Sequence, residues 1–215
     1  MKKIITLLII TVLFTFQSNA QQRQRTIAEC TIDYNITLDD VTGLDNATVE
    51  MFKSTIKTVY IKGNQSRVDF ISPSFTQSVI YDKRTGNAVI LREIGGNKFL
   101  TKLDKAAWDK SNNKFENLKT NLLDETKVIL GYECKKAVLL LTDGTTLDLF
   151  YATNYIPSVK EFEYQFKDVP GFVLEYESQD KSGKKIKYTA TKINLNPVAT
   201  SKFDIPTTGY RLLNE

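Results

Sequence analysis

The chain has no histidine, one tryptophan and only two cysteines among its 215 residues. Without histidine there is no Ser-His-Asp triad, no Cys-His protease, and no histidine-ligated zinc, copper, iron or haem. Two cysteines are too few for a four-thiolate zinc or iron–sulfur site. The five prolines and ten glycines are scattered as punctuation, so the sequence has no linker and no low-complexity tract. No Walker loop or dinucleotide fingerprint occurs. An aromatic content of 11% and a hydrophobic content of 41% argue against disorder.

What is present begins with a leader. Lys2 and Lys3 precede an apolar run from Ile4 to Phe16, and Ser18-Asn19-Ala20 supplies small residues before Gln21. This is the three-part pattern of a cleaved signal peptide over residues 1–20. The run is shorter than the roughly 17–25 residues of a spanning helix. Cys30 lies too far from the cleavage point to be a lipoprotein cysteine. No later stretch is long and apolar enough to cross a bilayer. The expected address is therefore exported, periplasmic or otherwise extracytoplasmic, with residues 21–215 as a single β-rich domain. Without Lys2 and Lys3, 27 basic residues face 25 acidic ones. That balance does not suit a nucleic-acid binder, which normally carries a strongly basic face.

Alternation with period two recurs along the mature chain. Ile32, Tyr34, Ile36 and Leu38 share one strand face, as do Val59 and Ile61, then Val68 and Phe70. Leu130–Leu141 reads as one long strand. Leu147, Leu149 and Tyr151 line a further strand, as do Phe172, Leu174 and Tyr176, then Ile186, Tyr188 and Ala190. Turn signals separate them at Gly63-Asn64, residues 82–87, Gly95-Gly96, Asp143-Gly144 and Ser182-Gly183. Strands joined by tight turns are antiparallel. Helical spacing appears in 103–119, weakened at Ser111-Asn112-Asn113, and a short helix or loop is expected in 157–169. About ten strands with one apolar face should curl. The expected fold is mainly β: a curved antiparallel sheet, or half-barrel, with one or two helices covering its concave face.

Three segments carry a resemblance. They are Val59–Asp69 with Tyr81–Gly86, Gly131–Ala137 with Phe150–Thr153, and Val169-Pro170-Gly171-Phe172-Val173-Leu174-Glu175. Together they resemble an uncharacterised family of secreted Bacteroidota envelope proteins, related to the family with a Gly-Leu-Pro-Gly-Leu-Ile signature. That family is similar in architecture to the lipoprotein-carrier (LolA/LolB-like) superfamily. The resemblance implies a curved sheet with helices over it and a lipid or lipoprotein ligand. It implies no established reaction, and fold alone does not fix function.

The candidate site residues are few. Cys30 and Cys134 make a candidate disulfide in an exported chain, against two buried thiols as the plainer reading. Trp108, Phe115 and Leu118 are candidate lining for an apolar ligand under a helical lid, or core packing. Pro170 and Gly171 suggest a type II turn with Gly171 at positive φ. Asp39, Asp40, Asp45 and Glu50 read as solvated loop charge, and Arg67 with Asp69 as a surface pair. Glu161, Glu163, Glu175 and Glu177 are acids in the number a hydrolase needs, with Glu175 and Glu177 expected on a solvent face.

No cofactor, metal or catalytic residue is expected. The leading expectation is a non-enzymatic envelope protein holding a lipid, acyl chain or other apolar ligand in the concavity. The alternative is a structural or interaction module with a solid core and an envelope protein partner. A carboxylate-dependent hydrolase stands last.

Overall fold

The computed structural model describes residues 24–179 and 184–213. The leader and the Ser182-Gly183 turn lie outside the described residues. The strands are β1 (Arg25–Ile27), β2 (Glu29–Leu38), β3 (Ile56–Lys62), β4 (Gln65–Ser72), β5 (Phe75–Asp82), β6 (Asn87–Ile94) and β7 (Asn97–Leu103). They continue as β8 (Lys119–Ile129), β9 (Tyr132–Leu140), β10 (Thr146–Ala152), β11 (Tyr155–Pro157), β12 (Phe172–Gln179), β13 (Lys185–Asn194) and β14 (Arg211–Leu213). Two α-helices, α1 (Asn46–Ser54) and α2 (Lys105–Ser111), and 3₁₀ turns at Glu161–Phe166 and Thr200–Phe203 complete the main elements.

Twelve strands form one sheet in the order β14-β7-β6-β5-β4-β3-β2-β13-β12-β10-β9-β8. β14 joins β7 in parallel, and every other pairing in that sheet is antiparallel. β1 and β11 form a separate parallel pair. The expected half-barrel is not what forms. The sheet ends in two edges, β14 and β8, and is neither closed nor strongly curled.

The physical reason lies in the second face. Curling serves a sheet with one apolar face to hide. Here neighbouring residues on one strand pack into different layers. Tyr81 and Ala88 meet Trp108, Val159 and Tyr164, whereas Ile80 and Val89 meet Val198 and Phe203. Separate cover on the two faces replaces closure.

Local signals explain most elements. Gly63, Gly95 and Gly144 take positive φ in the tight turns expected of them. Helix α2 starts at Asp104, whose carboxylate accepts the Ala107 N–H at 2.8 Å, and stops before Asn112, as the Ser-Asn-Asn run suggests. The expected single strand over Leu130–Leu141 is instead the far arm of a hairpin. Leu130 and Gly131, with φ of 52° and 82°, make the turn that joins β8 to β9. The acidic stretch expected as loop contains helix α1. The helix N-terminus is Asp45, which accepts the Thr48 N–H at 2.8 Å, so one of those acids is a cap.

Gly171 serves a different purpose from the one its sequence suggests. It is not among the left-handed glycines. A Cβ there would lie 2.3 Å from the Ala152 carbonyl oxygen and 2.5 Å from Tyr151 Cδ2. The glycine lets the chain press against β10. Gly171→Ala is therefore expected to cost about 1–3 kcal/mol or more, because backbone must move to admit a methyl group. Urea denaturation of the variant checks this, and a loss under about 0.5 kcal/mol, the range of an ordinary surface change, would contradict it.

Candidate functional site

The densest group of chemistry-bearing side chains is buried beneath the segment 157–171, which crosses the sheet as a strap. Lys57 projects from β3 and is almost wholly buried. Its Nζ stands 2.5 Å from Glu163 Oε1 on the strap and donates to Tyr176 Oη at 2.9 Å. The ammonium also lies 4.7 Å from the Tyr34 ring centroid and 4.8 Å from that of Tyr176. Tyr188 stacks on Tyr176 at 4.5 Å, and Phe166 meets Tyr176 edge-on at 5.0 Å. Tyr34 Oη donates to the Val173 carbonyl at 2.8 Å.

Burial pushes Lys57 below the usual lysine range, opposed by the Glu163 carboxylate. Burial likewise pushes Tyr34 and Tyr176 well above the usual tyrosine range. A lysine of lowered pKa beside tyrosines is a familiar catalytic theme. Here the ammonium is enclosed by its own carboxylate and rings, with a side-chain exposure of 3%. The group fastens the strap rather than presenting a reactive atom.

Other ties hold the strap along its length. Ser158 Oγ donates to the Gly63 carbonyl at 2.7 Å, and Lys83 Nζ donates to the Ser158 carbonyl at 3.0 Å. Lys160 Nζ donates to the Val169 carbonyl at 2.8 Å. Near the far end, Glu116 accepts from Tyr164 Oη and from Lys167 Nζ. Phe166 and Val169 complete an apolar cluster with Ala137, Leu139 and Leu149.

Of the three expected ligand-lining residues, the structure brings two together. Trp108 is buried against Tyr81 at 5.4 Å, with Phe115 packed beside the same cluster. Leu118 belongs to a different cluster, with Leu139 and Phe166. The indole N–H of Trp108 has no hydrogen-bond partner among the described residues, so packing alone holds the ring. An apolar pocket lined by Ile27, Cys30, Ile32, Tyr132, Phe172 and Leu174 has a volume of only about 20 Å³. That is room for about one water molecule. Larger clefts, of about 500 and 480 Å³, are open surface features beside Phe203 and Ile205 on the opposite face.

Cys30 and Cys134 are two free, buried thiols. They sit on β2 and β9, four places apart in the strand order. Both belong to one apolar cluster, together with Ile32, Phe172 and Leu174. Burial raises Cys30 to about 12 and Cys134 to about 11. Reactivity follows the thiolate. Ellman's reagent is therefore expected to label neither thiol in the native protein and both in guanidinium chloride. Rapid native labelling of either would mean that its cluster opens.

Two sequence expectations about acids also change. Glu175 is buried, not solvent-facing: Lys127 Nζ donates to both of its carboxylate oxygens at 2.8 Å, and Lys187 lies at 3.3 Å. Burial would raise its pKa, but the hydrogen bonds from Lys127 and Lys187 prevail and hold it below the usual carboxylate range. A glycosidase general acid needs the opposite shift. Asp69 is buried too, with Arg67 Nε at 2.6 Å. Arg67 also donates to the Lys202 carbonyl and to Ser78 Oγ, which anchors the segment 200–203 to the sheet. The pairing of Arg67 with Asp69 was legible two residues apart, whereas Lys57 carried no sequence signal, because Glu163 and Tyr176 lie far away in the chain.

The family of N-glycanase peptide, N-terminal domain, matches residues 32–207. The chain belongs to this family. No curated protein sequence matches it. The solved structure of PNGF-II is similar over 87% of this chain and 32% of its own, at 12% identity and a TM-score of 0.51. The chain thus spans about a third of PNGF-II. An uncharacterized conserved protein from Thermus thermophilus is similar over 87% of this chain and 90% of its own, at 9% identity and a TM-score of 0.51. These likenesses are of fold. A LolA superfamily protein from Nitrosomonas europaea reaches a TM-score of only 0.37, too low to carry an argument. None of these findings carries the closer kinship with Bacteroidota proteins or with the Gly-Leu-Pro-Gly-Leu-Ile family.

Proposed function

We propose that this protein is a non-catalytic interaction module of the bacterial cell envelope, with a solid core and a partner protein as its ligand. The observation that carries the reading is the filled apolar interior. An apolar pocket of about 20 Å³ between the strands cannot take an acyl chain, since ligand sites commonly run to about 300–1,000 Å³. The strap supports it further, because three sets of ties fasten it over the core. The leader pattern of residues 1–20 supports export. Membership of a family defined as an N-terminal domain supports a role beside other protein rather than a reaction of its own.

The acids support the same reading. Both Glu163 and Glu175 are neutralised by lysines in separate clusters, which leaves no buried carboxylic acid among the described residues poised to donate a proton. Native mass spectrometry of gently purified protein tests the proposal. The expected spectrum has the mass of the mature chain alone, and thermal melting is unmoved by added fatty acid or phosphatidylglycerol. A stoichiometric lipid adduct would overturn the solid-core reading and restore the carrier.

A further inference from the structure

The strap and α2 cover part of one sheet face. Lys57, Phe70, Gln77, Arg92, Phe99 and Arg211 are cross-strand partners in a row over β3, β4, β5, β6, β7 and β14. No register shift interrupts the row, so these side chains share a face. It is the face of Tyr81 and Ala88, on which Trp108 and Tyr164 pack. The row begins under the strap at Lys57 and then runs out from beneath it.

Beyond the strap the face is apolar, and α1 adjoins it only at the β4–β5 turn, where Met51 meets Ser74. Phe70, Phe75 and Phe99 are half-buried, and Ile94, opposite Phe75, is 50% exposed. None of the four joins an apolar cluster of the interior. The Phe70 and Phe75 rings lie 6.4 Å apart. Large exposed apolar patches mark interaction sites.

The charges on this patch have one sign. Arg92 stands at its centre, half-buried, with Nε donating to Gln77 Oε1 at 2.9 Å. Arg211 is exposed on the other side of Phe99. Among the described residues neither arginine has a carboxylate within ion-pair distance. The adjacent acid, Glu93, belongs to the opposite face, where it pairs with Lys98 at 3.4 Å. An arginine set among phenylalanines wants a carboxylate with apolar neighbours.

We propose that this half-face docks an amphipathic segment of a partner protein, with an apolar stripe against the phenylalanines and carboxylates on Arg92 and Arg211. The proposal rests on the interaction-module reading and names its surface. The segment lies beside the strap and extends the layer that the strap and α2 begin.

Selection from a displayed library of random peptides against the full protein tests this. The recovered peptides are then measured by fluorescence anisotropy on the native protein, on the double variant Arg92→Gln/Arg211→Gln, and on Phe99→Ser. Each variant is first checked for native melting. Recovered sequences should combine Asp or Glu with Leu or Phe at spacings of three and four. Affinity should fall about tenfold or more in the arginine variant and should weaken with added salt. Peptides that bind the arginine variant equally well overturn this surface while leaving the interaction-module reading intact. A library without acidic enrichment overturns the assigned partner chemistry. Arginine-dependent sedimentation with phosphatidylglycerol vesicles in place of peptide binding would assign the surface to lipid and overturn it too.

Discussion

Glu163→Ala is expected to destabilise the fold by about 3–5 kcal/mol, the cost of leaving a buried charge without its partner. Lys57 has no other carboxylate to turn to among the described residues. Its remaining contacts are the Tyr176 hydroxyl and the faces of Tyr34, Tyr176 and Tyr188. The double variant Lys57→Met/Glu163→Leu is expected to recover most of the loss, because it removes both desolvated charges and fills their space with apolar atoms. Urea unfolding of the two single variants and the double variant reads the coupling. If Glu163→Ala costs less than about 1 kcal/mol, below the range for a broken buried pair, the pair is not what pins the strap. Hydrogen exchange gives the finer readout: amides of residues 157–171 should lose protection in Glu163→Ala before those of β3 and β12 do.

That pair also marks where sequence reading stops. Strands such as β2 were legible because one face is buried: Ile32, Tyr34 and Ile36 alternate with half-exposed or exposed neighbours. The Asp143-Gly144 turn and the break after Ser111 were legible because turn and cap chemistry is local. Strand β8 was not, because nearly all of it is exposed on both sides and it has no alternation to read. Strand β12 misled in the opposite way. Both of its faces are buried from Phe172 to Tyr176, so Glu175 looked solvent-facing by parity when lysines from β8 and β13 seal it in.

The half-barrel expectation failed for a related reason. Period two says which residues share a face, but not whether that face is covered. Ile80 and Val89 are as buried as Tyr81 and Ala88, yet their cover, Val198 and Phe203, comes from a segment more than a hundred residues away. Lys57 sits 106 residues from Glu163. No local pattern announces such a meeting. The small size of the pocket beside Cys30 was likewise invisible, since it depends on how Phe172, Leu174 and Cys30 fill one another's space.

The missing histidine returns as a property of the folded state. No side chain in the chain has an unperturbed pKa between pH 5 and 8, so stability is expected to be nearly flat across roughly pH 6–8. On the alkaline side it should collapse. Cys30 is raised from 9.0 to about 12, Cys134 to about 11 and Tyr81 from 10.0 to about 12, each first of all by burial. Tyr34, Tyr176 and Tyr188 are raised in the same direction for the same reason. In every case the unfolded chain releases its proton at lower pH than the folded one. The stabilisation is complete below the unfolded values and is lost as pH climbs from about 9 towards 12. Cys30 alone represents about 4 kcal/mol across that window. Lys57 runs the other way, because its lowered pKa makes the folded state shed that proton first and its contribution grow with pH. Lys160 is lowered by burial in the same direction, and these two lysines cannot offset the six thiols and tyrosines. Urea midpoints measured from roughly pH 6 to 12 should therefore hold level and then drop steeply. Tyrosinate absorbance of the buried rings should rise only together with the loss of circular dichroism. If those rings ionise near their unperturbed pKa of about 10 while the β signal persists, the aromatic cage around Lys57 is open to water, and the strap is not sealed.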